Sequence, residues 1–277
     1  MCLEPLAAAS ASLICRHGHS YDVARHGYVT LRAPSGRAAI GDDAGMVSAR
    51  LAVQEMGHFE PLTLALAEEA RTVARSGVSL ILDAGAGTGR HLAGVLDAMP
   101  DARGVAVDAS RDASRRAARA HPRMAAVRGD VWQRIPLADG CVEVALNVFA
   151  PRNGAELARV VRAGGTLVVA TPAPDHLQEL AELHTVGVDP VKAQRLHRQL
   201  DRGFRPSAVR RIVWTLTLTR QEIEAVLGMG PAGLHLRRDL EGRLDALREP
   251  VRVTAAVDLR TFQRRVAQAA SHVPDGT

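Results

Sequence analysis

Aromatic side chains are almost missing: Phe, Trp and Tyr make up 3% of the 277 residues. A packed interior must therefore come from Leu, Val and Ala, within a hydrophobic content of 47%. Lysine is rarer still. Lys192 is the single one, and arginine carries almost all the positive charge. An Arg- and Ala-rich composition fits a GC-rich coding sequence, so function does not follow from it alone. Three cysteines, Cys2, Cys15 and Cys141, are too few for a disulfide framework. No apolar run reaches the roughly 18 residues that suggest a membrane-spanning helix. The start lacks the basic-then-apolar plan of a signal peptide. These absences point to a cytoplasmic protein with no membrane partner. The net charge of +5 admits an anionic partner such as RNA, and equally suits a solvated Arg-rich surface.

The length allows one large domain, or a mid-sized domain with an appendage. Residues 1–31 hold two of the three cysteines, several histidines and short β-like pieces such as "GYVTL". Residues 32–45, rich in Gly, Pro and Asp, read as a linker. From Met46 to Arg75 the apolar spacing is helical, with breaks near Gly57 and Pro61. A regular alternation follows. Strands are predicted at 79–84, 104–110, 124–130, 142–150 and 164–172, with helices at 89–98, 111–120 and 156–161 between them. Short apolar strands spaced by helices imply a parallel sheet covered on both faces, an α/β doubly wound fold. Beyond it, 176–183 and 221–230 look helical, and 237–248 reads as a salt-bridged helix. Residues 210–220 and 251–260 alternate like strands, and are predicted to close the sheet as an antiparallel pair. The expected division is a small N-terminal module (1–33), a linker and helical segment (34–75), and a catalytic domain (76–277).

The first predicted strand ends in Asp83-Ala84-Gly85-Ala86-Gly87-Thr88-Gly89. The Gly-Lys-Ser/Thr ending of a P-loop is absent. The third glycine comes one residue too early for the dinucleotide pattern G-x-G-x-x-G. Gly85 and Gly87 let the backbone turn tightly and approach a ligand without a Cβ in the way. A carboxylate at the strand end suits an amine or sulfonium better than a pyrophosphate, which it would repel. That favours S-adenosylmethionine (SAM) over NAD. The second strand ends in Asp108, placed to accept both ribose hydroxyls. The third ends in Asp130, placed to accept the adenine amino group, with the Val131 amide next to it and Trp132 beside the purine. One such carboxylate is easily a solvated loop residue. Three at successive strand ends, in the crevice where α/β sheets bind ligands, form a set.

The fourth strand ends in "NVFAPR", Asn147 to Arg152, where it abuts the transferable methyl group. Asn147 is expected to hold cofactor or an amide-like base edge, Phe149 to stack on a base or join the core, and Pro151 to stiffen the loop. The proton acceptor is not legible. His58 and His176 are the candidates, and "GMGPAGL" (228–234) is a candidate loop over the pocket.

Several stretches resemble the 23S ribosomal RNA guanine-N1 methyltransferases. They are "NVFAPR" with "ELARVVRAGGTLVVATPAPDHLQEL" after it, "YDVARHGYVTL" (21–31) and "MVSARLAVQEMGHFEPL" (46–62). "DVW" and "RAARAHPR" bring the chain nearest the actinobacterial branch that confers resistance to tylosin- and mycinamicin-type macrolides. The resemblance covers most of the chain and is densest from 15 to 180. It implies a SAM-dependent methyltransferase (Rossmann-like) sheet and a small N-terminal zinc-ribbon-like module. It also implies methylation of a guanine in hairpin 35 of domain II, and a homodimer. The family's zinc module has three cysteines and one histidine and opens with C-x-x-C. Cys2, Cys15 and His19 match its last three ligands, and the first would fall ahead of Met1. Three explanations stay open: a true start upstream, loss of zinc, or substitution by His17. The module and the arginines of 16–37 are expected to grip the RNA loop. The family's usual aromatic residue near Leu234 is missing here. Cys141 reads as a packed residue.

Two rivals share the SAM half. A small-molecule methyltransferase of an antibiotic pathway leaves the Cys/His module and the basic charge unexplained. A non-catalytic SAM-binding ribosome-associated protein would differ only in lacking turnover.

Overall fold

A computed structural model describes residues 4–31, 41–74, 79–181, 183, 196, 198–230, 243–244 and 247–266. The chain opens with a three-stranded antiparallel sheet of β1 (Leu6–Ala9), β2 (Ser12–Cys15) and β3 (Ser20–Asp22). It then enters the main sheet through β4 (Tyr28–Thr30), whose Tyr28 and Val29 are buried. Two helices follow, α1 (Ala44–Glu55) and α2 (Glu60–Val73). The break between them holds Gly57, as the sequence predicts, while Pro61 sits in the first turn of α2. Asp43 caps α1 by accepting the Met46 N–H at 2.9 Å, which satisfies one of the helix's orphan donors.

The alternating core is β5 (Leu80–Ala84), α3 (Arg90–Ala98), β6 (Arg103–Asp108), α4 (Arg111–Ala120), β7 (Met124–Arg128), β8 (Val142–Val148), α5 (Gly154–Val160) and β9 (Val161–Pro172). Then come β10 (Phe204–Leu218), α6 (Arg220–Gly228) and β11 (Val251–Arg264). The eight-stranded sheet runs β10-β11-β9-β8-β5-β6-β7-β4. β11 pairs antiparallel with both β10 and β9, so the two late alternating stretches close the sheet as expected. β4 pairs parallel with β7 at the opposite edge, a contact no local pattern announces. Strand order reverses between β5 and β8, the switch point where open α/β sheets hold ligands.

The central strands are apolar along their length because both faces are covered. Val144, Ala145 and Leu146 of β8 and Leu167, Val168 and Val169 of β9 are fully buried. On one face α2 and α3 supply Leu62, Leu66, Leu92 and Leu96, each at 0% exposure. Burial of a leucine contributes about 1.5–3 kcal/mol, so such an aliphatic layer needs few aromatics. The other face packs α5 with Phe204 and Phe262.

The predicted helix at 176–183 is corrected: among its described residues only a 3-10 turn forms, Gln178–Leu180. Long-range bonds win over local propensity here. Leu177 N–H donates to Thr254 O at 2.7 Å, and Glu179 accepts from the Thr254 N–H and hydroxyl at 2.9 and 2.6 Å. Most of the predicted helix at 237–248, and Leu234 with much of "GMGPAGL", lie outside the described residues. No described helix is long and apolar enough to cross a membrane.

Candidate active site

The glycine loop between β5 and α3 is pinned from β6. Gly85 and Ala86 N–H both donate to Val107 O, at 2.9 and 3.1 Å, and Gly87 N–H donates to Asp108 Oδ2 at 2.8 Å. Gly85 has φ +83°, and a Cβ there would run into the Cβ of Ala150 in the loop after β8. The two loops at the switch point thus touch through a missing side chain. Gly87 has φ +55°, and a Cβ on it would meet Arg50 Nη1 at 3.1 Å. Gly89, φ +79°, forms the N-cap of α3.

Asp83 is 1% exposed, and its Oδ1 has no hydrogen-bond partner. Burial, then the nearby Asp108 carboxylate, push its pKa up to about 7. Asp108 is raised too, by burial, although N–H groups of Ser110 and Gly87 donate to it and oppose the shift. Asp130 Oδ1 accepts the Trp132 N–H at 2.9 Å, which sets the turn after β7. Val131 is buried by its side chain, while Trp132 is half exposed and Asn153 Nδ2 donates to its carbonyl at 2.9 Å.

Asn147 takes a different place from the expected one. Its side chain is fully buried. Nδ2 donates to Ala84 O at 2.9 Å and to Pro151 O at 3.0 Å, and Oδ1 accepts from Arg152 Nε at 2.9 Å. Both donors and the acceptor are engaged inside the chain, so the expected contact with a base edge is corrected. Asn147 ties β5 to the loop after β8, and Pro151 is held through its carbonyl. The loop thereby presents Phe149, which is 42% exposed at φ +51°. A bulky residue in the left-handed region is strained, and such strain persists where surrounding bonds fix it.

Phe149 does not stand alone. Phe59 lies edge-on at 6.3 Å between ring centroids, and His176 is tilted 33° at 6.1 Å. Phe59 in turn meets Trp214 edge-on at 5.8 Å. Two of four phenylalanines and one of two tryptophans gather at this strand end, in a chain with few rings to spend. Both histidines proposed as bases adjoin this cluster, His58 next to Phe59 in the chain and His176 against the rings of Phe59 and Phe149. His58 Nε2 is 3.0 Å from Glu222 Oε1. His176 Nδ1 accepts the Ala256 N–H at 3.1 Å, which puts the neutral ring's proton on Nε2.

At the N-terminal module Cys15 Sγ and His19 Nδ1 are 3.3 Å apart across one turn. Ligands sharing a tetrahedral zinc stand about 3.5 Å apart, given metal bonds of about 2.3 and 2.0 Å. These two residues therefore fit one edge of a zinc site. Cys2 lies outside the described residues, and among the described residues no group of three possible ligands converges.

Residues 81–165 match the family model described as a methyltransferase domain, and residues 1–32 match the zinc ribbon described as "RlmA, N-terminal". A Micromonospora griseorubida protein named for methyl transfer to guanine N1 of 23S rRNA is 47% identical, over 95% of each chain. The 23S rRNA (guanine(748)-N(1))-methyltransferase of Streptomyces fradiae is 46% identical over 84% of each. YxjB of Bacillus subtilis is 31% identical, over 91% of this chain and 90% of its own. The chain belongs to the 23S rRNA (guanine-N1)-methyltransferase family. Solved structures show the fold as well. BH2331 of Bacillus halodurans superposes with a TM-score of 0.52 at 14% identity, covering 73% of this chain and 99% of its own.

The methyltransferase domain implies SAM, and the residues present fit its methionine end. A buried carboxylate oxygen without a partner calls for the ammonium. The sequence reading missed Arg50, Phe59 and Trp214. Arg50 and Phe59 fall inside "MVSARLAVQEMGHFEPL", but their distance along the chain from the glycine loop hides the contact.

Proposed function

We propose that this methyltransferase transfers the SAM methyl group to N1 of a guanine in a domain II hairpin loop of 23S rRNA, and so confers resistance to macrolides of the tylosin and mycinamicin type. The Streptomyces fradiae relative, named for guanine 748, supports that target. The observation that carries the reading is exposed Phe149, backed by Phe59 and His176 at the end of β8. Rings at a strand end offer a stacking face for an extruded base, worth about 1–3 kcal/mol per base. N1 is hidden when guanine is paired, so a loop guanine, or one flipped from the stack at a cost of a few kcal/mol, is the accessible substrate.

SAM supplies an electrophilic methyl group on a sulfonium. The chain's own residues supply position, the main demand of such a transfer. Asp83 is read as the partner of the ammonium, Asp108 of the ribose hydroxyls, and Asp130 with the Val131 amide of the adenine edge. Gly85, Gly87 and Gly89 shape the turn. Asn147 and Pro151 fix the loop that aims Phe149. Cys15, His19 and Cys2 are read as zinc ligands of an RNA-gripping module.

A cationic stripe supports an RNA partner. Arg111, Arg115 and Arg119 recur every four residues on α4, so they share one face. Arg119 Nη2 reaches His26 Nδ1 at 2.9 Å. Desolvation, then Arg115, Arg119, Arg25 and Arg111, hold the His26 pKa below its ordinary value.

The test is transfer from labelled SAM to 23S rRNA of a susceptible strain, with a macrolide as parallel acceptor, followed by nuclease digestion and mass spectrometry. The expected product is 1-methylguanine in one domain II hairpin, with a raised macrolide tolerance in cells expressing the protein. Label found only in the macrolide refutes the RNA reading.

A further inference from the structure

The methionine end of SAM carries two opposite charges on one carbon, and Asp83 answers only the ammonium. A carboxylate beside it needs donors. The glycine loop has few left, because the amides of Gly85, Ala86, Gly87 and Gly89 already donate to Val107 O, Val107 O, Asp108 and Ala86 O. A side-chain cation is required, and α1 delivers one. Arg50 stands over the loop, its Nη1 at 3.1 Å from where a Gly87 Cβ would be. Its charge is felt at Asp108 on one side and at buried His91, in the first turn of α3, on the other.

Arg50 is held there by two contacts. Nη2 donates to Met229 O at 3.2 Å, and Nη1 pairs with the Asp42 carboxylate. Asp42 does not need that pair to keep its place. Its carbonyl accepts the Ser110 hydroxyl at 2.7 Å, and Gly41 is pressed so tightly on the Ser110 backbone that a Cβ would clash. Nor is it the helix cap, which is Asp43. The Asp42 carboxylate therefore rests on Arg50 as an anion in the position a ligand carboxylate would take. It also adds a carboxylate near Asp108, raising Asp108 further.

We propose that Arg50 binds the carboxylate of SAM, and that Asp42 is a competing internal carboxylate which the cofactor displaces. The inference rests on the SAM reading of the glycine loop. It makes Gly41–Asp43, the residues leading into α1, responsive to cofactor occupancy, since Asp42 is one of them.

The test is calorimetric binding by the full chain of SAM and of decarboxylated SAM, which keeps the ammonium and lacks the carboxylate. Arg50→Ala is expected to weaken SAM about ten- to a hundredfold, the size of a lost charged hydrogen bond, and to leave decarboxylated SAM within about twofold. Asp42→Asn is expected to tighten SAM several-fold and leave the decarboxylated analogue unchanged. Equal weakening of both ligands by Arg50→Ala overturns the proposal, because it marks a structural role. Weaker SAM binding by Asp42→Asn overturns the competition. If Arg50→Ala does not fold, Asp42→Asn decides alone. Absence of SAM binding by the unaltered protein instead overturns the cofactor reading, and this inference with it.

Discussion

Replacing Asp83 with Asn should make the ligand-free protein more stable and unable to hold SAM. Asp83 is buried, one oxygen has no partner, and its pKa stands at about 7 against an ordinary 3.8. The folded chain therefore keeps a proton that the unfolded chain has already lost. Stability falls as pH rises from about 4 to about 7, then levels off. At 1.36 kcal/mol per pKa unit the full penalty is about 4 kcal/mol, an upper figure because relaxation and water entry soften it. Roughly half of it, about 2 kcal/mol, develops between pH 5.5 and 8.5. For a chain of this size that corresponds to about 4–8 °C in Tm. Scanning calorimetry of both proteins at pH 5.5 and 8.5 measures it, with saturating SAM as a second arm. The variant should gain on the unaltered protein as pH rises, and SAM should raise Tm only in the unaltered protein. A variant less stable at both pH values by the same amount refutes the reasoning, since the carboxylate would then have an internal partner. A variant still stabilised by SAM refutes its role as the ammonium's counter-charge.

Phe149→Ala should cut methyl transfer to 23S rRNA about ten- to a hundredfold, as the loss of one base–aromatic stack implies, with SAM affinity by calorimetry unchanged. Combined Arg111→Ala, Arg115→Ala and Arg119→Ala should weaken binding to a domain II hairpin RNA and flatten the plot of log affinity against log salt by about 2, at about 0.7 per phosphate contact on single strands. An unchanged slope in fluorescence anisotropy removes α4 from the interface. Cys15→Ser and His19→Ala should each lower the zinc content found by elemental mass spectrometry of the purified chain, and equal content in all three proteins excludes this pair as ligands.

Where the fold was legible, the periodicity had a local cause. Strands buried on both faces, such as Val142–Val148, read as apolar runs, and the late alternating stretches read as a closing pair. The neighbourhood of Asp83 and Asp108 was legible because adjacent strand ends in such sheets stand side by side. What failed had a nonlocal cause. The 176–183 stretch has helical apolar spacing, yet Thr254 takes its backbone and its Glu179. Asn147 looked like a substrate contact because it stands at the right strand end. Only the carbonyls of Ala84, at the end of β5, and of Pro151, in the loop after β8, show that its amide is spent on architecture. Arg50 and Phe59 belong to a motif visible in the sequence, but no spacing rule places α1 over the glycine loop.

The parts supplied from outside the alternating core share one logic. A doubly wound sheet with three acidic strand ends can hold a cofactor, but it has no built-in means of choosing an acceptor. Here β4 joins the N-terminal module to the sheet edge beside β7, and Gly41 presses on Ser110 beside Asp108. The next two elements then bring Arg50 to the loop and Phe59 to Phe149. In the reading proposed above, cofactor contact and acceptor contact hang on one stretch, from Gly41 to Phe59, which follows the module read as gripping RNA. An arrangement in which the module only tethered the enzyme to its substrate would not need that stretch to touch the site at both ends.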